Sequence, residues 1–537
     1  MKLTTLFISI LVLFYVPNSK AQNKSFTTNL PIVYLNTYGQ TIPDEPKINA
    51  MMEIAWKGQG QVNSTSDTHD HFSGRIAIEV RGSSSQLFPK KSYGLELRDG
   101  VGADMDFPLL DLPAEEDWIL YAPYSDKTLM RNVLTFTLAS QMSDTYASRC
   151  RFVELFLNNE YQGVYVLMEK IKRDKNRVDI AKLKEDDISG ENLTGGYIIK
   201  IDKRTGDGGA GWWSQYFNVN ETRTYYQYDY PAWDEIQPQQ KEYIEDYVYN
   251  FETAVYNLWH DDQKGYQNYM NLETFYDYVI INELSRNVDG YRLSTFLNKD
   301  KNGKLNAGPI WDYNLAYGNA DYFDGWMSYG LVISQNLGDD YWQVPFWWKK
   351  LVSDPEFANP MRCRWEDVKE TVLNENHILG IVDSLITYLG GAVDRNFERW
   401  PILSEKVWPN YYVGYSYTNE INWMKTWITQ RLDRLETELP GDCNYNSVPE
   451  LAQQSSVQVY PNPFQTNLKV SIHSDKFQTC RFTIYSMNGT VVNETEIPVN
   501  QGVNAYDLSF TDLDRGMYFY RLVQGGKELG AGKIVKL

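Results

Sequence analysis

Two aspartates, Asp289 and Asp312, flank a stretch whose residue pattern predicts a β-hairpin. Residues 291–298 and residues 304–311 resemble short strands. Asp300-Lys301-Asn302-Gly303 lies between them, and Asn-Gly is the dipeptide most typical of a tight hairpin turn. The pattern therefore puts both carboxylates at the same open end of one hairpin.

The register of this hairpin decides how close the two carboxylates come. With the turn centred after Lys301, Asp289 faces Asn314 on the opposite strand. Asp312 then faces Tyr291, and the two carboxylates are diagonal neighbours roughly 7 Å apart. Such a pair repels unless a cation lies between the groups or they share a proton. Phosphoryl transfer uses this arrangement, since one aspartate orients the incoming hydroxyl and the other holds Mg²⁺ against nucleotide phosphates. The alternative is that one aspartate is a turn residue and the other caps a strand end.

A second polar element precedes this hairpin in the chain. Residues 75–99, RIAIEVRGSSSQLFPKKSYGLELRD, read as a strand, a Gly/Ser-rich loop and a second strand. Serine hydroxyls and backbone N–H groups in such a loop can hold phosphates. Arg81, Lys90 and Lys91 supply positive charge beside it. The loop matches neither a Walker sequence nor GxGxxG, so an ordinary polar hairpin loop is the alternative.

The elements that must position these groups divide the main body of the chain into two parts. Residues 30–99 contain short β-branched and aromatic runs separated by Gly, Pro, Asn and Asp, which is typical of strands. Ser125-Asp126 predicts a helix start, residues 151–171 predict a hairpin closed at Asn158-Asn159, and residues 195–202 predict a buried strand. After Pro238 the period becomes helical as far as Leu439. The fold class is therefore α+β, with a cleft expected between the two parts.

Charge, cysteine content and the amino terminus limit the partners and the location. Residues 1–21 combine Lys2, an apolar run and a small-x-small site, as in a secretory signal peptide. The formal charge of −19 disfavours nucleic acid as a partner. No later apolar run is long enough to span a membrane. The four cysteines form no zinc pattern, and either one or two disulfides or free thiols are open.

The carboxyl-terminal region differs in composition from the body. Residues 441–456 form a polar linker, and residues 457–537 contain six short alternating runs that predict a small all-β sandwich. This tail resembles the C-terminal sorting domain of the type IX secretion system in Tyr460-Pro461-Asn462-Pro463, Gly516-Met517-Tyr518 and the terminal KIVKL. The resemblance implies contact with the type IX machinery, export, removal of the tail, and either release or attachment at the outer cell surface. An accessory β-sandwich is the alternative.

Four stretches of the body, taken in order, resemble the CotH family of spore-coat protein H-like secreted kinases. They are RGSSSQLFPKKSYGLEL, GVYVLMEKIKRD, NVDGY and GPIWDYNLAYG. The resemblance spans roughly residues 30–440 and implies a divergent protein-kinase-like domain over residues 22–440. It implies ATP and Mg²⁺ or Mn²⁺ as cofactors, Asp289 as the catalytic aspartate and Asp312 as the metal ligand. The cofactor-facing residues that it implies are Arg81, Ser83, Ser84, Lys91, Glu169 and Lys200, although Glu169 and Lys200 could instead form structural ion pairs.

The sequence departs from the family pattern at two positions in the expected metal site. Asn314 stands where many members have a second aspartate, and Ser294 stands where a kinase loop usually has asparagine. Both side chains offer an oxygen to a cation, but they bind it more weakly than a carboxylate does. We therefore expect a phosphotransferase acting on Ser or Thr of exported proteins, with slow transfer or a need for Mn²⁺. The alternatives are a non-catalytic surface adhesin or scaffold, a carbohydrate-binding protein that uses Trp212, Trp213 or Trp326, and an enzyme that transfers AMP.

Overall fold

The computed structural model describes residues 25–143, 145–205, 210–443, 457–474, 478–486, 490–500, 502–524 and 527–537. It divides the chain into two compact units, Met1–Cys443 and Asn444–Leu537. The predicted signal peptide and residues 444–456 of the predicted linker lie outside the described residues.

A closed barrel forms the amino-terminal part of the first unit. The strands of this part are β1 (Thr27–Thr28), β2 (Ile32–Asn36), β3 (Ile48–Ala55), β4 (Asn63–Ser64), β5 (Phe72–Arg81), β6 (Ser92–Arg98), β7 (Asp117–Tyr121), β8 (Cys150–Leu157) and β9 (Glu160–Glu169). Seven of them close in the order β2-β3-β5-β6-β7-β9-β8. β2 and β8 pair in parallel, and the other neighbours pair antiparallel. Alternate side chains such as Val33, Met52, Ile78 and Leu95 fill the interior.

The predicted hairpin at residues 151–171 is confirmed. Leu157 pairs with Glu160, so Asn158 and Asn159 form a two-residue loop. Their φ angles of 49° and 65° are left-handed, as a type I′ turn requires, and asparagine tolerates that region better than most residues.

A second sheet contains the strands nearest to the two aspartates. Its members are β10 (Tyr197–Ile201), β11 (Gly211–Phe217), β12 (Arg223–Tyr230), β13 (Thr295–Lys299) and β14 (Leu305–Ala307), in the order β11-β12-β10-β13-β14. The predicted register of the β13–β14 hairpin is wrong by one residue, because Lys299 pairs with Leu305. The turn is one residue longer than predicted. Within it, the Asp300 carboxylate accepts a hydrogen bond from the Ala181 N–H at 2.8 Å. Both strands end before they reach the aspartates.

Helices dominate the rest of the first unit. They are α1 (Arg131–Met142), α2 (Pro238–Asn257), α3 (Leu272–Ser285), α4 (Phe346–Ser353), α5 (Pro355–Lys369), α6 (Glu375–Leu389), α7 (Ala392–Arg399) and α8 (Tyr417–Glu438). The prediction that Ser125-Asp126 begins a helix is wrong, because α1 begins at Arg131. The Asp126 carboxylate accepts from the backbone N–H groups of Thr128 and Arg131, at 3.1 and 2.8 Å, and so satisfies them just ahead of the helix. Within the described part of the chain, no helix has the length and apolar content needed to cross a bilayer.

One buried carboxylate connects α3 to three other segments. Glu283 Oε1 accepts from the Tyr291 hydroxyl at 3.0 Å and from the Ile333 N–H at 2.9 Å. Its Oε2 accepts from the Val332 N–H at 2.9 Å and from Arg431 Nη2 at 3.2 Å. The side chains of Glu283 and Arg431 are both fully buried, so each charge depends on the other for compensation.

A disulfide closes the end of the first unit. Cys363 on α5 is bonded to Cys443, which follows α8, and Cys150 and Cys480 are free thiols. This resolves a pairing that the sequence left open.

The second unit consists of two sheets. Its strands are β15 (Val457–Tyr460), β16 (Asn467–Ser474), β17 (Gln478–Tyr485), β18 (Val491–Val499), β19 (Gly502–Ser509), β20 (Gly516–Gln524) and β21 (Lys527–Lys536). The sheets have the orders β15-β16-β19 and β18-β17-β20-β21, and apolar side chains such as Leu468, Phe482 and Ile534 form their core. Six strands were predicted, and β18 was missed because its sequence VVNETEIPV contains four consecutive polar residues, 493–496, in place of an alternating pattern.

Replacing Arg431 by methionine should destabilise the protein strongly. The substitution leaves the Glu283 carboxylate buried without its counter-charge, and breaking such a pair costs about 3–5 kcal/mol. Urea unfolding measures the change in the free energy of unfolding. The matched control is Arg434→Met on the exposed face of the same helix, for which we expect a change within about 0.5 kcal/mol. Equal effects of the two substitutions would contradict the importance of the buried pair.

Candidate functional site

Asp289 lies on a compact turn that follows α3. The Gly290 N–H donates to the Asn287 carbonyl at 2.9 Å, and the Leu293 N–H donates to the Asp289 carbonyl at 2.9 Å. Gly290 packs so closely against α3 that a Cβ atom would lie 2.4 Å from Asn282 Oδ1. Only glycine fits at this contact. The turn therefore holds Asp289 in a fixed position close to the end of α3.

Asp312 is placed by its buried neighbour Tyr313. The Tyr313 N–H donates to Asn132 Oδ1 on α1 at 2.7 Å, and its hydroxyl donates to Asn282 Oδ1 on α3 at 2.9 Å. Asp312 takes a left-handed φ of 63°, so the chain reverses locally and its side chain is exposed to solvent. Among the described residues, no donor bonds to the Asp312 carboxylate.

Asn287 joins the two aspartate segments directly. Its Oδ1 accepts from the Asp289 N–H at 3.3 Å, and its Nδ2 donates to the Asp312 carbonyl at 3.2 Å. The two aspartates predicted to meet are therefore brought together, although through this amide and not through cross-strand pairing.

A third carboxylate, Asp202, belongs to the same cluster and was missed by the sequence analysis. It follows β10, where Ile201 pairs with Thr295, and its Oδ2 accepts from Ser294 Oγ at 3.3 Å. Burial raises the pKa of Asp202. The motif GGYIIKID gave a signal, since an aspartate ends a buried strand there, but nothing local indicated its partner strand.

Desolvation and two neighbouring carboxylates raise the pKa of Asp312. Desolvation by the surrounding protein atoms raises its pKa to about 6, and the charges of Asp289 and Asp202 act in the same direction. Arg81 and Lys203 oppose that shift. An open carboxylate with two carboxylate neighbours favours binding of a cation, since a cation removes the repulsion.

Basic and hydroxyl groups border the cluster on one side. Lys203 Nζ donates to Ser84 Oγ at 3.2 Å, and Ser84 lies in the Gly/Ser-rich loop between β5 and β6. The Arg81 guanidinium lies 5.7 Å from the centre of the Trp311 ring, beside Asp312. The predicted loop and the acidic cluster are thus adjacent, and Lys203 is a cation that the sequence analysis did not single out.

The other predicted basic groups have local partners. Lys91 Nζ donates to the Gln86 carbonyl within the loop at 2.5 Å, and Ser83 immediately precedes the short helical turn of the loop. Lys90 was expected to supply charge beside the loop, and this was wrong. It is buried and donates to the Val164 carbonyl and to Asn396 Oδ1 at 2.6 and 2.9 Å, because the barrel wall covers it.

Glu169 and Lys200 both lie in ion pairs. Fully buried Glu169 accepts from Arg149 Nε at 2.9 Å and Nη2 at 2.8 Å, while Lys200 Nζ lies 3.0 Å from Asp229 Oδ1. The charge of Lys200 offsets part of the rise that burial causes in the pKa of Asp202. The Asn314 carbonyl accepts from Asn319 Nδ2 at 2.8 Å.

Comparison with protein families gives two matches. The model described as CotH kinase protein matches residues 78–435, which is more than half of the chain. The model described as secretion system C-terminal sorting domain matches residues 458–536. Every residue of the acidic cluster lies within the first match.

Comparison with individual proteins adds little. Curated proteins give no match. Among solved structures, the Pseudomonas fluorescens alkylpurine DNA glycosylase AlkC, bound to DNA containing an abasic site analog, is 12% identical with a TM-score of 0.12. The alignment covers 37% of this chain and 56% of that chain. A likeness with so low a TM-score carries no argument about fold or function.

Replacing Asp312 by asparagine should raise the thermal midpoint in metal-free buffer, and more at pH 8 than at pH 5. The folded protein holds a proton on Asp312 up to about pH 6, whereas an unfolded chain releases it near pH 3.9. The wild type therefore loses stability as the pH rises between these values. Asparagine cannot lose a proton, so the variant avoids that loss. Differential scanning fluorimetry with EDTA measures the midpoints, Asp433→Asn on the exposed surface is the control, and a gain that is equal at both pH values would contradict the assignment.

Proposed function

Since the chain belongs to the CotH kinase protein family and ends in a type IX sorting domain, it is an exported member of that family, and we propose that it is a protein kinase. It transfers the γ-phosphoryl group of ATP to Ser or Thr hydroxyls of exported proteins. The proposal takes residues 22–440 as the kinase-like domain and residues 457–537 as the sorting tail, which is removed after export through the type IX machinery.

The observation that carries this proposal is the open Asp312 carboxylate beside Asp289 and Asp202, with cations facing it. Desolvation and like charges disfavour its ionised form, so the cluster is set to gain from a bound cation. The positive charges of Arg81 and Lys203 act on the same carboxylate, and cations so near favour anionic phosphates. A site with a carboxylate cluster facing cations suits a metal–nucleotide complex better than a free sugar.

The donor groups of the cluster are of the types that Mg²⁺ and Mn²⁺ bind. Asp312 and Asp202 offer carboxylate oxygens and Ser294 offers a hydroxyl, and hard oxygen donors are what these ions prefer. Asp202 compensates for the carboxylate that the chain lacks at Asn314, and it comes from a different strand. When bound, the ion would supply positive charge that neutralises the charge developing on the phosphates during transfer.

The protein side chains then divide the remaining work. Arg81, Lys203 and the hydroxyl of Ser84 bind phosphate oxygens, and Asp289 orients the acceptor hydroxyl. In the transfer step, the acceptor oxygen bonds to the γ-phosphorus and the bond from that phosphorus to the β–γ bridging oxygen breaks. The acceptor proton passes to the Asp289 carboxylate, and ADP leaves with the bridging oxygen.

Purified chain incubated with γ-labelled ATP and Mg²⁺ or Mn²⁺ should label itself or added casein. Asp289→Asn and Asp312→Asn should each lower the rate by about 100-fold or more, since each removes a group that acts on the reacting atoms. Asp433→Asn is the exposed control. Label from α-labelled ATP would instead indicate AMP transfer, and no label from either with a folded protein would favour the non-catalytic or carbohydrate-binding alternatives.

Binding of the nucleotide can be tested apart from transfer. At 100 times its Kd, ATP with Mg²⁺ should stabilise the wild type by about 2.7 kcal/mol. Lys203→Ala should weaken ATP binding by roughly tenfold because it removes a cation beside the phosphate loop. Lys304→Ala, which is exposed on the β13–β14 turn, is the matched control. Thermal-shift titration gives both affinities, and unchanged binding in Lys203→Ala would contradict the phosphate role.

A further inference from the structure

We propose that Arg292 and Tyr322 are positioning residues that hold the Asp289 carboxylate in one orientation toward the acceptor hydroxyl. The proposal rests on the kinase function proposed above and adds two residues to it. Both act through Asp289 and neither is expected to contact the nucleotide.

Arg292 is a buried guanidinium with a partner for each of its nitrogens. Its Nη2 donates to Asp289 Oδ1 at 2.6 Å, and its side chain is 3% exposed. Its Nε donates to the Val288 carbonyl at 3.2 Å. Its Nη1 donates to the Trp342 carbonyl at 3.0 Å and to Asp340 Oδ1 at 3.3 Å. A planar group fixed at every nitrogen leaves the bonded carboxylate oxygen little freedom.

Tyr322 fixes the second oxygen of the same carboxylate. Its hydroxyl donates to Asp289 Oδ2 at 3.0 Å. Burial raises the pKa of Tyr322 well above its ordinary value, and the charge of Asp289 adds to that effect, so the hydroxyl keeps its proton and donates. The preceding residue is anchored as well, since the Asp321 N–H donates to the Pro409 carbonyl at 2.8 Å.

Phe323 contacts both residues that donate to the Asp289 carboxylate. The Arg292 guanidinium lies 5.1 Å from the centre of the Phe323 ring, and the rings of Tyr322 and Phe323 meet edge to face at 5.3 Å. Phe323 and Asp324 take left-handed φ angles of 47° and 54°. Tyr322 thus bonds to Asp289 while the next residue, Phe323, packs against Arg292.

The arrangement restrains rotation of the Asp289 carboxylate about its Cβ–Cγ bond. Each oxygen has one fixed donor and keeps a further lone pair for an incoming hydroxyl. Asp289 is also partly exposed, at 25% of its side chain, so an acceptor can reach it. Loss of either donor should therefore slow transfer without weakening nucleotide binding, because Arg81, Ser84 and Lys203 are unaffected.

The test compares Tyr322→Phe with Tyr329→Phe in the full chain. Tyr322→Phe keeps the ring and removes the hydroxyl, and kcat should fall by about 10- to 100-fold with KM for ATP changed by no more than about twofold. Tyr329 is an exposed tyrosine of the same loop region, and its substitution should change neither constant. Arg292→Lys, which keeps a charge, should retain more kcat than Arg292→Gln. Thermal midpoints, measured in parallel, show whether each variant is folded.

The outcomes separate this inference from the function on which it rests. If the folded wild type transfers no phosphoryl group, the kinase proposal and the positioning roles are both overturned. If the wild type transfers and folded Tyr322→Phe keeps its kcat, or loses only affinity for ATP, then the positioning role alone is overturned. A fall in kcat that Tyr329→Phe reproduces also overturns it, because the effect would then not be specific to Asp289.

Discussion

The buried Glu283 carboxylate is the interaction on which the site most depends. It accepts from α8 through Arg431, from the backbone at Val332 and Ile333, and from the hydroxyl of Tyr291, two residues beyond Asp289. Four donors around one buried charge satisfy it fully, which is the condition for tolerating such a charge in a core. The turn that bears Asp289 is therefore fixed to the helical core at both of its ends, by Asn287 on one side and Tyr291 on the other.

The candidate site arises where three unrelated segments meet. Asp289 follows a helix, Asp312 precedes a buried tyrosine, and Asp202 ends a strand. The main supports of these elements are Tyr313, Gly290 and the β10–β13 pairing. The carboxylates of Asp289 and Asp202 also accept hydrogen bonds from neighbouring side chains. Among the described residues no donor bonds to the Asp312 carboxylate, so a substitution at Asp312 should leave the architecture intact while changing the charge of the site.

Local features of the fold were predictable from the sequence, and long-range pairings were not. The Asn158-Asn159 turn and the α8 stop before Pro440 follow from turn and helix chemistry. The parallel pairing of β2 with β8 closes the barrel between segments far apart in the chain, and no short-range pattern indicates it. The divergent protein-kinase-like architecture implied by the family stays a prediction, while the mixed α+β class is confirmed.

The candidate site was likewise predictable where local sequence features indicated it, and was not predictable where it depends on long-range pairing. Asp289 and Asp312 could be selected because two acids flank a hairpin, although the register on which their distance was argued differs by one residue from the observed one. Asp202 and Lys203 could not be selected, because their importance depends on which strand lies beside β10. The prediction for Lys90 was wrong because the sequence shows a lysine next to a polar loop but does not show that the barrel wall covers it.

The disulfide has a mechanical consequence for a protein that is exported by its tail. Cys443 is the last described residue before the link to the sorting domain, and its bond to Cys363 ties that point to α5. Once this bond has formed, force applied to the tail is transmitted to α5 through the disulfide. The contacts between α8 and its neighbours do not carry that force alone. Force, cleavage or attachment beyond residue 443 therefore has little effect on the ion pair between Arg431 and Glu283. The geometry around Asp289, which depends on that pair, is preserved with it.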